Sequence, residues 1–94
     1  MIVGALKIKL HIFGASSLKE KRKVLKPIKD KVSSMNASIA EIGDNDLWQS
    51  ASIGLVMVSN DSAHINSMMD KFMQTLIVND EIEIVDSAME IIHL

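Results

Sequence analysis

The sequence predicts an α+β fold, because segments with strand and helix periodicity follow one another as strand, helix, strand, strand, helix, strand. The chain has 94 residues, 48% of them hydrophobic, with a single proline. That length supports one core and is too short for two. Two crossovers in this order give a ferredoxin-like βαββαβ sandwich, with both helices on one face of a four-stranded antiparallel sheet. We therefore expect a single domain over residues 1–94 with strand order 4-1-3-2.

The first strand and the first helix have clear local signals. Apolar residues alternate with Lys7, Lys9 and His11 from Leu6 to Ile12, which is the period of a half-buried strand. Ser17 and Glu20 have capping-box spacing, so a helix is predicted to begin there and to continue to about Met35. Pro27 lies within this helix, and it predicts either a kink or a later helix start.

The second half of the chain supplies the other four elements. A short strand is predicted from Ala37 to Ile42, and a more continuously apolar, central strand from Ala51 to Ser59. Asn60 and Asp61 are both candidate caps for a second helix, whose apolar residues recur at helical spacing. These residues are Ile65, Met68, Met69, Phe72 and Leu76. The last strand begins near Glu81 and extends to the end of the chain across a bulge near residues 86–87.

Charge is divided unevenly along the chain. Residues 1–31 hold nine of the ten Lys and Arg residues but only two of the twelve acids, whereas residues 32–94 hold one lysine and ten acids. Such asymmetry indicates either an acidic partner for the basic half or attraction between the two halves within the fold.

The first helix carries most of the positive charge, and its solvent side is a candidate nucleic-acid interface. The residues predicted to form it are Lys19, Arg22, Lys23, Lys26 and Lys29. Clustered cations near a helix N-terminus suit a phosphate backbone, although an ordinary solvated lysine face has the same pattern. The chain has no Tyr and only two Phe, Phe13 and Phe72, so we expect no aromatic platform for bases and only backbone-directed contacts.

Lys21 falls inside the apolar stripe of the same helix. A buried ammonium requires a partner, and the predicted topology brings residues 14–22 close to residues 41–48. We therefore expect Lys21 to form an ion pair with Glu41, Asp44 or Asp46, and Trp48 to anchor this connection against the first helix or the sheet end. A catalytic lysine, or a small-ligand site at this end, is the alternative.

Several other classes of site lack support. The chain has no cysteine, its three histidines have no paired-ligand spacing, and its four glycines form no phosphate loop, so we expect no metal site, no cofactor and no catalytic residue. No basic leader with an apolar block is present, and no apolar run is long enough to span a membrane. These features predict a soluble, cytoplasmic protein without membrane contact.

The face of the sheet away from the helices is a second candidate interface. It is predicted to carry Lys7, Lys9 and His11 on the first strand, and Val56 and Val58 on the third. An apolar patch at its centre would favour sheet-to-sheet dimerisation.

Three segments resemble the YlxP-like family of small bacterial proteins of unassigned function. They are SLKEKRKVLKPIKDK, AEIGDNDLWQSASIG and VSND. Pro27, Ser50 and the methionine-rich second half depart from the family pattern. The resemblance implies a ferredoxin-like fold and, from the genes that neighbour such proteins, an accessory role near RNA or the ribosome. It implies no catalytic residues.

These observations give one leading hypothesis and two alternatives. The first is a non-enzymatic binding or accessory protein that is associated with RNA or the ribosome through the first helix. The second is a homodimeric interaction module that uses the open sheet face. The third is a small-ligand binder or enzyme at the Lys21, Asp44 and Asp46 end.

Overall fold

Four strands and two helices follow one another in the predicted order in the computed structural model, which describes residues 1–94. The elements are β1 (Ile2–Ile12), α1 (Leu18–Val32), a 3₁₀ turn (Ser33–Met35), β2 (Ala37–Gly43), β3 (Ser50–Ser59), α2 (Ser62–Ile77) and β4 (Ile82–His93). Strand order in the sheet is β2-β3-β1-β4, and every neighbouring pair is antiparallel. This is the predicted 4-1-3-2 order counted from the other edge, so the ferredoxin-like prediction is confirmed.

The hydrophobic core lies between one face of the sheet and the two helices. Each central strand contributes every second residue, as the pleat requires. The buried strand residues are Leu6, Ile8, Leu10 and Ile12 from β1, and Ala51, Ile53, Leu55 and Met57 from β3. The helices meet them with Leu25, Ile28 and Val32 from α1, and with Ile65, Met69, Phe72 and Leu76 from α2. The other face of the sheet has no helix over it.

The start of β1 and the end of α1 differ from the sequence prediction, since α1 ends at Val32 rather than near Met35 and the 3₁₀ turn follows it. β1 begins at Ile2 rather than Leu6. Residues 2–5 lie outside the predicted strand because they are all apolar or glycine and lack the alternation of polar and apolar residues that identified it. Gly4 in that segment is buried, and a Cβ atom there would lie 2.5 Å from Cγ2 of Ile65 on α2. α1 begins at Leu18 and continues through Pro27 to Val32, so the helix does not start late. Pro27 has no N–H to donate to the Lys23 carbonyl four residues earlier. Because Pro27 is exposed, water can bond that carbonyl instead.

Bulges interrupt both edge strands. Lys9 pairs with Asp86 and Leu10 with Ile84, which leaves Val85 unpaired just before the position where a bulge was predicted. A second bulge lies in β2, where the register shifts between Glu41 and Gly43. An extra residue of this kind changes the direction in which neighbouring side chains point. Glu41 is thereby the last residue of β2 on the helix-covered face before the connection to β3.

Candidate functional site

The start of α1 is fixed by reciprocal side-chain contacts. The Ser17 hydroxyl accepts a hydrogen bond from the Glu20 N–H at 3.1 Å. The Glu20 carboxylate accepts from the Ser16 N–H at 2.6 Å and from the Ser16 hydroxyl at 2.8 Å, one residue earlier than in a standard capping box. The Ser16 N–H, its hydroxyl and the charge of Lys23 hold the pKa of Glu20 below its ordinary value. This cap sets the helical phase that turns Lys21 inward.

The predicted basic residues of α1 share the helix but not the same surroundings. Lys26 forms an ion pair with Asp30 at 2.8 Å, which raises the pKa of Lys26, and Lys29 lies 3.6 Å from Glu41 Oε1. Lys19, Arg22 and Lys23 are exposed and have no carboxylate within 4.0 Å. We call these three residues the free basic stripe. Three of the four α1 cations without an ion pair therefore lie in its first two turns, where Glu20 offsets one charge, and the fourth is Lys31 in the last turn.

Lys21 is buried beneath α1, with its side chain only 2% exposed. Its ammonium donates a hydrogen bond to the Asp44 carbonyl oxygen at 2.8 Å and lies 3.2 Å from Glu41 Oε2. The predicted ion pair is therefore present, and Glu41 supplies its carboxylate. The contact lacks hydrogen-bond alignment, since Glu41 Oε2 has no hydrogen-bond donor. Its attraction is consequently that of opposite charges rather than of a directed bond.

Asp44 holds the connection between β2 and β3 in place. Its backbone lies in the left-handed region at φ 58, which Asp tolerates better than most residues. Its carboxylate accepts hydrogen bonds from the hydroxyls of Ser50 at 2.9 Å and Ser52 at 3.4 Å, and lies 4.0 Å from Lys9 Nζ. Its carbonyl oxygen accepts from Leu47 N–H at 3.0 Å as well as from Lys21. One residue thus ties together the first helix, the connection and the sheet.

The three predicted acids point to different surroundings. Glu41 faces α1, the Asp44 carboxylate faces the β3 serines, and Asp46 is exposed and forms no ion pair. No three His, Asp or Glu side chains in the structure are arranged to hold a metal ion. Neither helix has the length and apolar character needed to cross a bilayer.

Trp48 does not anchor the connection, which corrects the sequence prediction. Its side chain is 52% exposed, and β3 begins two residues later at Ser50. Gln49 makes the connection instead, since its Nε2 donates to the Ala15 carbonyl at 3.2 Å and its own carbonyl accepts from the Ile12 N–H at 2.9 Å. The core beneath is already filled by aliphatic residues of β1 and β3, so the indole remains outside it.

An open groove of about 560 Å³ lies beside Trp48. Its lining residues are His11, Asp46, Leu47, Trp48, Gln49 and Ser50. Phe13, which is 51% exposed, meets the His11 ring edge-on with 4.9 Å between ring centroids. Sequence reasoning did not find this surface. The signal that it overlooked was the position of Phe13 and Trp48, each next to a strand terminus at the same end of the sheet.

The open sheet face has an apolar centre and charged side chains. Val56 and Val58 of β3 are 44% and 48% exposed, and Val3 pairs beside Val58. This face also carries both signs of charge, because Lys7 and Lys9 lie on the central strand β1 and Asp86 and Glu90 lie on the neighbouring edge strand β4. This face is therefore mixed rather than uniformly polar.

The sheet order and the two helices on one face define a small ferredoxin-like α+β domain. Two solved structures are similar to it at the level of fold. A VAO-type flavoprotein from Myceliophthora thermophila matches 97% of this chain with 14% identity and a TM-score of 0.59, although the match spans only 18% of that protein. The designed protein Foldit4 matches with 10% identity and a TM-score of 0.51, over 99% of this chain and 97% of its own.

The sequence itself places the chain more narrowly. Residues 3–89 match DUF503, a family described as "Protein of unknown function", and the chain belongs to this family. It is 36% identical over 83 residues to the uncharacterized protein YlxP of Bacillus subtilis (strain 168), covering 87% of this chain and 90% of that protein. The predicted YlxP-like resemblance is thereby confirmed.

Proposed function

We propose that this protein is a non-enzymatic accessory protein that binds the sugar-phosphate backbone of RNA through α1, either free or within the ribosome. The observation that carries the proposal is the free basic stripe. Lys19, Arg22 and Lys23 are exposed on adjacent turns and form no ion pair within 4.0 Å. Glu20 is the one acid among them, and its carboxylate is bound by Ser16, so three cations and one acid leave an excess of positive charge. Cations in this arrangement attract phosphates by releasing the counterions condensed on a nucleic acid. A chain with no cysteine also fits the reducing cytoplasm, where RNA is found.

The distribution of acids supports the same surface. Glu41 is next to α1, but it is occupied by Lys21 and Lys29, and Asp44 is turned toward β3 and Lys9. Exposed acids of the second half, such as Glu83 and Glu90, lie on β4 at the edge of the sheet opposite β2. Repulsion of phosphate by these acids therefore acts away from α1 and directs a polyanion toward the helix.

The test is the salt dependence of RNA binding, measured by fluorescence anisotropy with a labelled single-stranded RNA. If three to five phosphates are contacted, a tenfold rise in salt should lower the association constant by about 10² to 3 × 10³-fold. Reversing charge in the free basic stripe with Lys19→Glu and Lys23→Glu should abolish binding at moderate salt. A matched control is Lys7→Glu with Lys71→Glu, because both lysines are exposed and without ion pairs.

The two double variants carry the same net charge, so the comparison isolates position from total charge. Equal losses of affinity would show nonspecific attraction to the whole molecule rather than an interface on α1. Absence of binding by the unmodified protein at low salt would refute the proposal outright. Neither pair of substitutions removes a buried contact, and equal thermal unfolding midpoints would verify that both variants fold.

The open sheet face favours a second candidate function, homodimerisation. Its apolar centre at Val56 and Val58 is flanked by lysines on β1 and acids on β4, so two copies packed face to face would oppose unlike charges. Sedimentation velocity should then show a dimer at about 50 µM, and Val56→Asp should dissociate it. A monomer at that concentration would exclude this candidate.

A further inference from the structure

Two of the three aromatic side chains of the chain are exposed at one end of the sheet. Phe13 is 51% exposed and Trp48 is 52% exposed, whereas Phe72 is buried in the core. Burying large aromatic side chains is among the strongest sources of stability in a small domain. The exposure of Phe13 and Trp48 at the same end of the sheet therefore indicates a binding site, because exposed clusters of large apolar side chains often mark such sites.

The segments that carry these residues are held side by side by the backbone. The Ile12 N–H donates to the Gln49 carbonyl at 2.9 Å, immediately before Phe13 and immediately after Trp48. The Gln49 amide donates to the Ala15 carbonyl at 3.2 Å, and His11 pairs with Ser50 across the sheet. The groove beside Trp48 is consequently part of the folded framework, and a ligand would not need to form it.

The chemistry of the groove suits a flat heteroaromatic ring. The groove is open to solvent on one side, so a ring could enter it directly, and Trp48 offers an indole face for stacking. The Gln49 amide nitrogen is engaged with Ala15, which leaves its carbonyl oxygen free to accept, and the Asp46 carboxylate also accepts. Acceptors of this kind bind the exocyclic amino groups of bases. Asp46 repels phosphate, so the groove favours the base of a nucleotide over its phosphate.

The groove is also close to the free basic stripe. Lys19 is the sixth residue after Phe13, which limits the distance between their Cα atoms to about 20 Å. An RNA strand whose phosphates lie on α1 would therefore bring the base of a terminal or adjacent nucleotide to Trp48. Phosphate-binding cations and stacking aromatic groups are the two components of surfaces that bind single strands.

We infer that the groove formed by His11, Trp48 and Gln49 is a nucleobase-binding site for a single-stranded RNA held on α1. This inference rests on the proposed function and extends it from the backbone to the base. It also replaces the expectation from the sequence that no stacking surface exists.

The experiment compares a single-stranded RNA oligomer with an abasic ribose-phosphate oligomer of equal length and charge. Trp48 is the only tryptophan, so its emission reports on the groove directly. We expect the RNA to quench Trp48 emission and the abasic oligomer to leave it unchanged. Trp48→Leu should weaken binding of the labelled RNA about tenfold, as loss of one stacked base does, and change abasic binding less than about twofold.

Two further variants make the result specific. Trp48→Phe retains an aromatic face and should recover most of the lost affinity. Ile77→Ala removes an exposed apolar side chain at the end of α2 and should change nothing. Equal weakening of RNA and abasic binding by Trp48→Leu, or an absence of quenching by bound RNA, would overturn the inference.

Failure of this inference is distinguishable from failure of the proposed function. If salt-dependent binding is lost in the Lys19→Glu, Lys23→Glu variant while Trp48→Leu has no effect, the base site is refuted and the backbone interface stands. If RNA quenches Trp48 but binding is independent of salt and of these lysines, the base site is supported and the α1 interface is refuted.

Discussion

Replacing Glu41 by leucine should destabilise the protein more than replacing its partner Lys21 by methionine. Without Glu41, the Lys21 ammonium remains almost fully buried with a single neutral acceptor, the Asp44 carbonyl. Breaking a buried pair in this way costs about 3–5 kcal/mol in the free energy of unfolding. Without Lys21, the Glu41 side chain is still 16% exposed and retains Lys29 at 3.6 Å. The main loss is then the donor to the Asp44 carbonyl, about 1–3 kcal/mol.

The double variant Lys21→Met, Glu41→Leu separates pairing from simple side-chain loss. Once the ammonium is absent, removing Glu41 also removes a carboxylate oxygen that has no hydrogen-bond donor. We therefore expect the double variant to lie within about 1 kcal/mol of Lys21→Met alone. Additive losses would mean that the two charges do not stabilise each other.

Urea unfolding followed by far-ultraviolet circular dichroism is the appropriate assay. Trp48 is half-exposed in the folded state, so its emission is a weak reporter of core unfolding. Glu83→Leu on β4 is a matched control, because Glu83 is exposed and forms no ion pair, and it should change stability by less than about 0.5 kcal/mol. A smaller loss for Glu41→Leu than for Lys21→Met would refute the reasoning.

Three further substitutions test the local physics of the fold. Gly4→Ala should destabilise by about 1–3 kcal/mol in urea unfolding, because the new Cβ would lie 2.5 Å from a methyl group of the buried Ile65. Glu20→Gln should flatten the acid limb of the stability–pH curve. The folded pKa of Glu20 lies below its ordinary value of 4.5, so its stabilisation is present above that pH and is lost as the pH falls through the folded pKa. Asp61→Ala removes the N-cap of α2 and should lower stability by about 1 kcal/mol, which a thermal melt will detect.

The sequence predicted two kinds of feature correctly. One kind depends on the spacing of apolar residues, and the other on the cost of burying an unpaired charge. The alternation of polar and apolar residues and the helical spacing of apolar residues predicted the element order. The preference for right-handed crossovers then predicted the strand order. Lys21 could be assigned a carboxylate partner because an unpaired ammonium inside an apolar stripe is too unfavourable to persist. Glu41 faces α1 by alternation with Ala37 and Ile39, but excluding the two aspartates required the bulge that follows Glu41, which has no sequence signature.

The connection from Gly43 to Gln49 was predicted least well, for a physical reason. No repeating pattern relates side-chain direction to position in such a segment, so size alone made Trp48 appear to be the anchor. In the structure, Gln49 makes that contact, since its side-chain amide donates to the Ala15 carbonyl and its backbone carbonyl accepts from the Ile12 N–H. The bond from the Ile12 N–H is accepted by a backbone carbonyl, which every residue has, so no pattern of residue types predicts it.

The ion pairs near α1 divide its cations between two roles. Glu41 engages Lys21 and Lys29 rather than Lys19 or Lys23, and the acid beside Lys23, Glu20, is bound by Ser16. Stability and the proposed RNA contact thus depend on different lysines of one helix. It follows that the two properties should be separable by substitution. The double variant Lys21→Met, Glu41→Leu should lower stability while leaving RNA affinity within about twofold, because the two buried charges that it removes cancel each other. Reversal of Lys19 and Lys23 should do the opposite, and a variant set in which both properties fall together would contradict this division.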